Sequence, residues 1–167
     1  MYAQVFFLIT FLENKNKIIF RKGEAPLKEF PNVTIAVPAW NESKSIEGTV
    51  LSLLNLNYPK DKLKIILIDD GSTDNTFEIM QKFQNEKNIE IYTKKNGGKH
   101  TALNFALEKS TTPFFGCLDA DAFADKDALN RIMSYFEKDL STMAVAPSVI
   151  VNNPQNLIQK AQTAEYE

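Results

Sequence analysis

Cysteine, histidine and tryptophan each occur once in this sequence of 167 residues, as Cys117, His100 and Trp40. A single cysteine forms no internal disulfide, which excludes a disulfide scaffold and suits a reducing compartment. We expect Cys117 to be a small buried core residue, because it lies in an apolar run. One histidine supports neither a catalytic triad nor a zinc site, so we interpret His100 as a solvated residue.

An excess of charge of either sign is also missing. The 19 basic and 21 acidic residues leave a net charge of −2, and 44% of the residues are apolar. Wholesale binding to nucleic acid needs a strong basic excess, so we expect no nucleic-acid partner. The length fits one globular domain, and the composition excludes a disordered tail and a collagen-like fibre.

No apolar run is long enough to cross a bilayer. Residues 1–12 are almost wholly apolar, but a spanning helix needs about 20 such residues. This run is either the cytoplasmic end of a transmembrane helix in a longer protein, since basic residues follow it, or an element packed on the domain. We divide the chain into an apolar segment and basic linker at 1–30, a domain at 31–150 and a C-terminal tail at 151–167.

From residue 33 onwards, apolar runs alternate with amphipathic stretches. The predicted strands are residues 33–37 (ended by Pro38), 64–68, 89–92, 113–118 and 143–146. The predicted helices are residues 43–55, 73–83 (opened by Ser72 or Thr73), 98–109 and a segment capped by Asp125. This alternation indicates an α/β fold, with a mostly parallel sheet and flanking helices on both faces.

A polar cluster follows each of the first four predicted strands. In order, the clusters are Ala39-Trp40-Asn41-Glu42, Asp69-Asp70-Gly71-Ser72, Asn96-Gly97-Gly98-Lys99-His100 and Asp119-Ala120-Asp121. Parallel sheets bind ligands outside the carboxyl ends of their strands, so we expect the four clusters to converge on one site.

The last cluster places Asp119 and Asp121 at the end of an apolar strand, where alternate residues point to the same side. Two carboxylates so close together repel each other, and a cation between them is the better explanation. Oxygen ligands suit Mg²⁺ or Mn²⁺, which keep positions open for a diphosphate. The alternative is an ordinary helix-entry turn.

The other clusters suggest a nucleotide. We interpret Asp70 as a contact to a pyrimidine imide or a ribose hydroxyl, whereas Asp69 either does the same or only ends its strand. Trp40 either stacks on a base or lines the floor of the cleft. The glycine pair before Lys99 matches no ATPase or dinucleotide motif, but free N–H groups beside a lysine suit a diphosphate.

Taken in order, the clusters resemble those of family 2 glycosyltransferases with a GT-A fold, in the membrane-associated branch of cellulose, chitin and hyaluronan synthases. The likeness covers about residues 31–150 and is carried by Val37–Glu42, Asp69–Asp74, Asn96–Lys99, Ala102–Asn104 and Asp119–Ala122. It implies a Rossmann-like nucleotide-sugar-binding domain at 31–150 that is truncated here, with the tail at 151–167 as its incomplete continuation. It also implies a place on the cytoplasmic face of a membrane in a parent protein, or in the cytoplasm if the chain stands alone.

The resemblance further implies a UDP-sugar donor and a glycan or other hydroxyl acceptor, with transfer of the sugar by inversion. The residues that would bind the donor nucleotide are Pro38, Ala39, Trp40, Glu42, Asp69, Asp70, Lys99 and Asp119. Lys99 would lie along the diphosphate, and Asp121 with Asp119 would bind Mg²⁺ or Mn²⁺.

Two motifs of that family do not appear in the sequence. One is the downstream acidic motif that supplies the general base, and the other is Gln-x-x-Arg-Trp, which holds the acceptor. We therefore expect the donor-binding portion of an enzyme without its catalytic base. A nucleotide-sugar-binding module without turnover stays open as an alternative, and an aspartyl-phosphate enzyme or receiver fits the order of the motifs poorly.

Overall fold

The structure, a computed structural model, describes residues 27–147, which form one four-stranded parallel sheet in the order β3-β2-β1-β4. The strands are β1 (Val33–Ala39), β2 (Leu63–Asp69), β3 (Ile89–Thr93) and β4 (Phe114–Cys117). The helices are α1 (Ile46–Leu54), α2 (Thr76–Gln81), α3 (Lys99–Lys109) and α4 (Ala128–Lys138). The predicted α/β class with a parallel sheet and flanking helices is confirmed. The predictions for residues 1–12 and 151–167 lie outside the described residues.

The two central strands of the sheet, β1 and β2, are buried on both faces, as their continuous apolar runs predict. On one face, residues such as Val37 and Ile65 belong to a core that includes side chains of α1, α2 and α4. On the other face, Ile66 and Ile68 pack with Ala102 and Ala106 of α3. Successive residues of a strand thus contact opposite helical layers.

The order of the strands reverses beside β1. The chain runs from β1 through β2 to β3 towards one edge of the sheet, and α3 then returns it to β4 on the other side of β1. In open α/β sheets the ligand crevice lies outside the carboxyl ends of the strands at such a reversal. The expected crevice therefore lies where β1 and β4 end.

β1 continues past Pro38, so the prediction that this proline ends the strand is wrong. Asp70 N donates to Ala39 O at 2.8 Å on the β2 side, and Leu118 N donates to Ala36 O at 3.0 Å on the β4 side. Pro38 therefore faces the β4 side, beyond the last residue of β1 that pairs with β4. No hydrogen bond is needed from its nitrogen, so proline fits there.

Three helices begin later than predicted: α1 begins at Ile46 rather than at residue 43, and an aspartate forms a turn before each of the other two. Asp74 accepts a hydrogen bond from Thr76 N at 3.0 Å, and α2 begins only after Asn75. Asp125 accepts one from Asp127 N at 3.0 Å, and α4 begins after Asp127. These local turns compete with the helix for the same backbone donors.

Two predictions near the carboxyl end of the described chain are wrong. Residues 143–146 form no strand, and Met143 is 90% exposed. Cys117 is exposed rather than buried, because β4 pairs only with β1 within residues 27–147 and lies at the edge of the sheet. Over these same residues, no helix has the length and apolar character that crossing a membrane requires.

Candidate functional site

The loops after β1 and β2 are fastened to each other by reciprocal hydrogen bonds. Asn41 N donates to Ser72 Oγ at 2.9 Å, and Thr73 N donates to Asn41 Oδ1 at 2.8 Å. Asn41 has a φ of 57°, a left-handed conformation that asparagine tolerates better than most residues. The sequence analysis gave Asn41 no role, although its place in a polar cluster was a usable signal.

A second set of hydrogen bonds ties the loop after β1 to the start of α2. Glu42 N donates to Thr76 Oγ1 at 2.8 Å, and Ser43 N donates to Asp74 Oδ2 at 3.2 Å. Hydrogen bonding from Thr76, followed by Ser43, lowers the pKa of Asp74 to about 2 despite some desolvation. The carboxylate of Glu42 accepts from Ser45 Oγ at 2.6 Å. The first cluster is therefore held in place mainly by residues that follow β2.

The end of β1 presents three of the predicted nucleotide contacts. Pro38 and Ala39 are buried, whereas Trp40, which follows directly, is 56% exposed. An exposed indole at a strand tip offers an apolar face beside buried walls, an arrangement suited to stacking. The roles of these three residues in binding a nucleotide remain predictions.

Asp70 is buried, with only 3% of its surface exposed, and it holds the third cluster against the second. Its carboxylate accepts hydrogen bonds from Lys94 Nζ at 2.5 Å, Gly97 N at 3.2 Å and Gly98 N at 2.8 Å. Burial raises the pKa of the Asp70 carboxyl, but these hydrogen bonds and the charge of Lys94 outweigh it, so the net shift is downward. Asp70 is therefore a buried anion that is already partnered by the protein.

Lys94 is a site residue that the sequence analysis missed. Its ammonium donates to Asp70, to Lys95 O at 2.9 Å and to Thr101 Oγ1 at 2.8 Å, which uses all three of its N–H groups. No local pattern predicts this contact, because Asp70 and Lys94 are 24 positions apart.

The glycine pair is engaged rather than free. Because Gly97 N and Gly98 N both donate to Asp70, the expectation that these N–H groups are free to bind a diphosphate is wrong. The turn that follows β2 is also tight, and it packs against the segment just before the glycine pair. Gly71 has a φ of +74°, and a Cβ there would lie 2.7 Å from Asn96 N, so only glycine fits.

Asp69 also has partners within the protein. Its carboxylate accepts from Ser72 N at 3.1 Å and from Thr93 Oγ1 at 2.9 Å, which joins the ends of β2 and β3. Contacts of Asp69 and Asp70 to a nucleotide remain predictions, since both carboxylates are occupied by protein donors in this structure.

Lys99 and Asp119 bring the third and fourth clusters together. Lys99 Nζ donates to Asp119 Oδ1, and each side chain is 55% exposed. The hydrogen bond to Asp119 raises the pKa of Lys99 against a smaller effect of desolvation, and the negative charge of Asp121 raises it further. Three charged residues that the sequence assigned to one site thus interact at the same edge of the sheet.

The segment Asp119–Ala124 is fixed to α1 through its backbone. Thr49 Oγ1 donates to Ala120 O at 2.8 Å in buried surroundings, and Ala124 N donates to Ser52 Oγ at 3.0 Å. The backbone between the two aspartates is therefore held by α1, while both aspartate side chains are exposed.

The oxygen donors of Asp119 and Asp121 fit a hard divalent cation. Asp121 is exposed, and no hydrogen bond or ion pair from residues 27–147 occupies its carboxylate. In the same range, no three histidine, cysteine or acidic side chains come together to hold a metal by themselves. A cation here would take its remaining ligands from phosphate or water, as Mg²⁺ commonly does.

Residues 34–167 match the model of the family described as Glycosyl transferase family 2. The chain belongs to this family. The match covers more than half of the chain and includes every candidate residue of the site, so the resemblance on which the sequence analysis relied is confirmed.

Two relatives illustrate how this family 2 chain compares with longer proteins. The poly-beta-1,6-N-acetyl-D-glucosamine synthase of Staphylococcus aureus (strain COL) is 34% identical over 147 residues, which are 87% of this chain and 35% of that protein. The synthase of the same name from Staphylococcus epidermidis is 32% identical over 152 residues, which are 90% and 36% of the two chains. The chain thus spans little more than a third of the length of these relatives.

Solved structures confirm the GT-A fold. The mannosyltransferase PcManGT from Pyrobaculum calidifontis, in complex with GDP-Man and Mn²⁺, has a TM-score of 0.65 and 26% identity, and the match covers 89% of this chain and 44% of that one. S. aureus TarS 1-349 has a TM-score of 0.61 and 24% identity, with 72% and 40% of the two chains covered.

Proposed function

We propose that this chain is the donor-binding part of a glycosyltransferase that binds a UDP-sugar with Mg²⁺ or Mn²⁺ and transfers the sugar to a hydroxyl with inversion. The observation that carries the proposal is the ion pair between Lys99 and Asp119. It joins the glycine–lysine cluster to the D-x-D segment beside the crevice where the strand order reverses. Membership of family 2 supports the type of reaction.

In this proposal the nucleoside lies along the loops after β1 and β2. The exposed indole of Trp40 offers a face for the uracil, and buried Pro38 and Ala39 line the cleft beside Glu42. A carboxylate has about four acceptor positions. Lys94, Gly97 and Gly98 fill all four at Asp70, because Gly97 N lies within hydrogen-bond distance of both oxygens. An imide or hydroxyl donor of the ligand would therefore replace the longest of these contacts, from Gly97 N to Oδ2 at 3.4 Å.

The diphosphate belongs beside Lys99 in this arrangement. Asp119 and Asp121 would hold the metal, and Lys99 would exchange its contact with Asp119 for a phosphate oxygen. When bound, the divalent metal supplies Lewis-acid stabilisation of the negative charge on the departing UDP. Lys99 adds a positive charge at the same place, because a lysine ammonium is protonated at neutral pH.

We assign no general base among residues 27–147. The first carboxylates after Asp121 in the chain are Asp125 and Asp127, and their oxygens lie 3.2 and 3.9 Å from Arg131 Nη2, so both share one guanidinium. The name of the staphylococcal relatives favours a glycan acceptor and an N-acetylglucosamine donor. By the resemblance to the membrane-associated branch of the family, the site would face the cytoplasm in a longer parent protein.

Calorimetric titration of the 167-residue chain with UDP, with and without Mn²⁺, tests the proposal, with GDP and ADP as controls. We expect UDP binding that strengthens with Mn²⁺ and exceeds that of both controls. Preference for GDP would redirect the proposal to a guanosine donor, as in the complex of PcManGT. Absence of binding to all three nucleotides would contradict it.

A second measurement separates an enzyme from a binding module. Release of UDP from UDP-N-acetylglucosamine, with UDP-glucose as the comparison, reports turnover with water or an added glycan as acceptor. Donor binding without any release would favour the module that turns over no substrate.

A further inference from the structure

One face of α1 lies directly beneath the D-x-D segment. We call this face, formed by Gly48, Thr49 and Ser52, the α1 platform. A Cβ on Gly48 would lie 2.6 Å from Phe123 Cε1, so the ring of Phe123 rests where the glycine has no side chain. Ser52 accepts the hydrogen bond from Ala124 N described above.

Thr49 is the central member of the α1 platform. It is fully buried, and its hydroxyl donates at 2.8 Å to the carbonyl of Ala120, which is itself only 4% exposed. Ala120 is the single residue between Asp119 and Asp121. A displacement of its peptide therefore moves both carboxylates together.

Within residues 27–147, no comparable restraint acts on the two carboxylates themselves. In that range the contact of the Asp119 carboxylate is its ion pair with Lys99, in which both side chains are 55% exposed, and exposed ion pairs orient side chains weakly. A buried carbonyl that loses its only strong donor is costly to leave unpaired. The position of the two aspartates is thus set mainly from the backbone side.

We infer that Thr49 is a positioning residue for the metal: its hydrogen bond to Ala120 holds the backbone from which Asp119 and Asp121 would bind a divalent cation. The inference rests on the proposed function. It concerns a residue that contacts neither nucleotide nor metal.

The test compares Thr49→Val with Thr49→Ser and Thr34→Val. Valine removes the hydroxyl at nearly constant shape, and serine keeps it. Thr34 is a matched control, because it is also fully buried, its hydroxyl is 2.7 Å from Thr112 Oγ1, and it lies at the opposite end of β1. Each full-length chain is titrated with UDP, with and without Mn²⁺.

In the wild type, Mn²⁺ should strengthen UDP binding by a measurable factor. We expect Thr49→Val to make this factor about ten times smaller, which corresponds to the loss of one buried hydrogen bond. Binding of UDP without metal should stay unchanged. Thr49→Ser and Thr34→Val should keep the wild-type factor to within about twofold. Amide hydrogen exchange in residues 119–124 of the ligand-free chain should accelerate in Thr49→Val alone.

Equal behaviour of Thr49→Val and Thr34→Val in both measurements would overturn the inference while leaving the proposed function intact. A wild-type chain whose UDP affinity does not respond to Mn²⁺ would overturn the proposed function, and the inference with it. If Thr49→Val does not fold, Ser52→Ala takes its place. That variant should reduce the Mn²⁺ factor about threefold, and an unchanged factor would again overturn the inference.

Discussion

The two sides of the crevice are built differently. On the β2 side (Asp69, Asp70, Lys94 and the pair Gly97-Gly98), the acidic side chains are buried and hydrogen-bonded by the protein. On the β4 side (Lys99, Asp119 and Asp121), the charged side chains are exposed, and one ion pair is their main contact.

This difference indicates two ways of preparing a binding site. The β2 side is preorganised, so a ligand that contacts it orders little of the protein on binding. On the β4 side, α1 holds the backbone while both carboxylates are exposed, so the proposed cation and diphosphate would supply the contacts that are left open there. Substitutions should therefore reduce folding stability on the β2 side and ligand affinity on the β4 side.

The largest effect on stability is expected for Asp70→Ala. The substitution leaves Lys94 and the N–H groups of Gly97 and Gly98 without their buried anion. Removing one partner of a buried ion pair typically costs about 3 to 5 kcal/mol. Urea unfolding measures the change in the free energy of unfolding, and Asp61→Ala, at an exposed aspartate, serves as the control with a change below about 0.5 kcal/mol.

A small change for Asp70→Ala would show that the β2 side is not a folding element. If that variant stays folded, its binding of UDP and of bare pyrophosphate can be compared directly. A greater loss for UDP supports contact between Asp70 and the base or ribose, whereas equal losses argue against it.

Asp121→Asn should have the opposite effect to Asp70→Ala: it should weaken metal-dependent binding of UDP and leave folding stability nearly unchanged. Its exposed carboxylate has no hydrogen bond from residues 27–147, so the free energy of unfolding should change by less than about 0.5 kcal/mol. Mn²⁺ should increase the UDP affinity of the wild type, and loss of a metal ligand should reduce this gain by a factor of about ten or more. Titration with and without Mn²⁺ measures this gain, and a gain equal to that of the wild type would exclude Asp121 as a ligand.

Lys99→Gln should weaken UDP binding about fivefold and leave uridine binding unchanged, because the lysine is expected to meet the diphosphate and not the base. Lys95→Gln is a matched control on an exposed lysine four positions earlier in the chain. The calorimeter compares UDP with uridine for both variants. Equal losses in the two variants would indicate a general electrostatic effect rather than a specific contact.

The smallest effect is a difference in acid stability at Asp74, which ties the loop after β1 to the start of α2. The pKa of Asp74 is lowered from 3.8 to about 2 by hydrogen bonding, so its carboxylate stabilises the fold fully above pH 4 and loses this contribution as the pH falls through 2. The difference in stability between wild type and Asp74→Asn should therefore be constant above pH 4 and shrink below it. Urea unfolding between pH 2 and pH 7 would reveal the trend, and a difference that grows on acidification would contradict the assignment.

The sequence predicted much of what depends on short-range pattern. The apolar run 64–68 indicated a central strand, and the structure extends it by one residue at each end. The polar cluster after each strand indicated the edge that carries the site, because topology brings the carboxyl ends of parallel strands together. The ion pair of Lys99 with Asp119 agrees with that convergence.

Contacts between distant parts of the chain were the features that sequence patterns could not provide. Asp70 meets Lys94 only after β2 and β3 have paired, and Thr49 meets Ala120 across 71 positions. The same reason explains the wrong prediction for Cys117: an apolar run shows that a strand forms, but not whether that strand lies inside the sheet or at its edge.

The exposed edge position of Cys117 has a practical consequence for spectroscopy. As the only thiol in 167 residues, it can be alkylated at one place without prior mutagenesis, two residues before Asp119. A fluorophore or spin label there would occupy the end of β4 next to Lys99 and Asp119. Changes in its emission or mobility on adding Mn²⁺ and UDP would follow the β4 side in real time, which a calorimeter does not resolve.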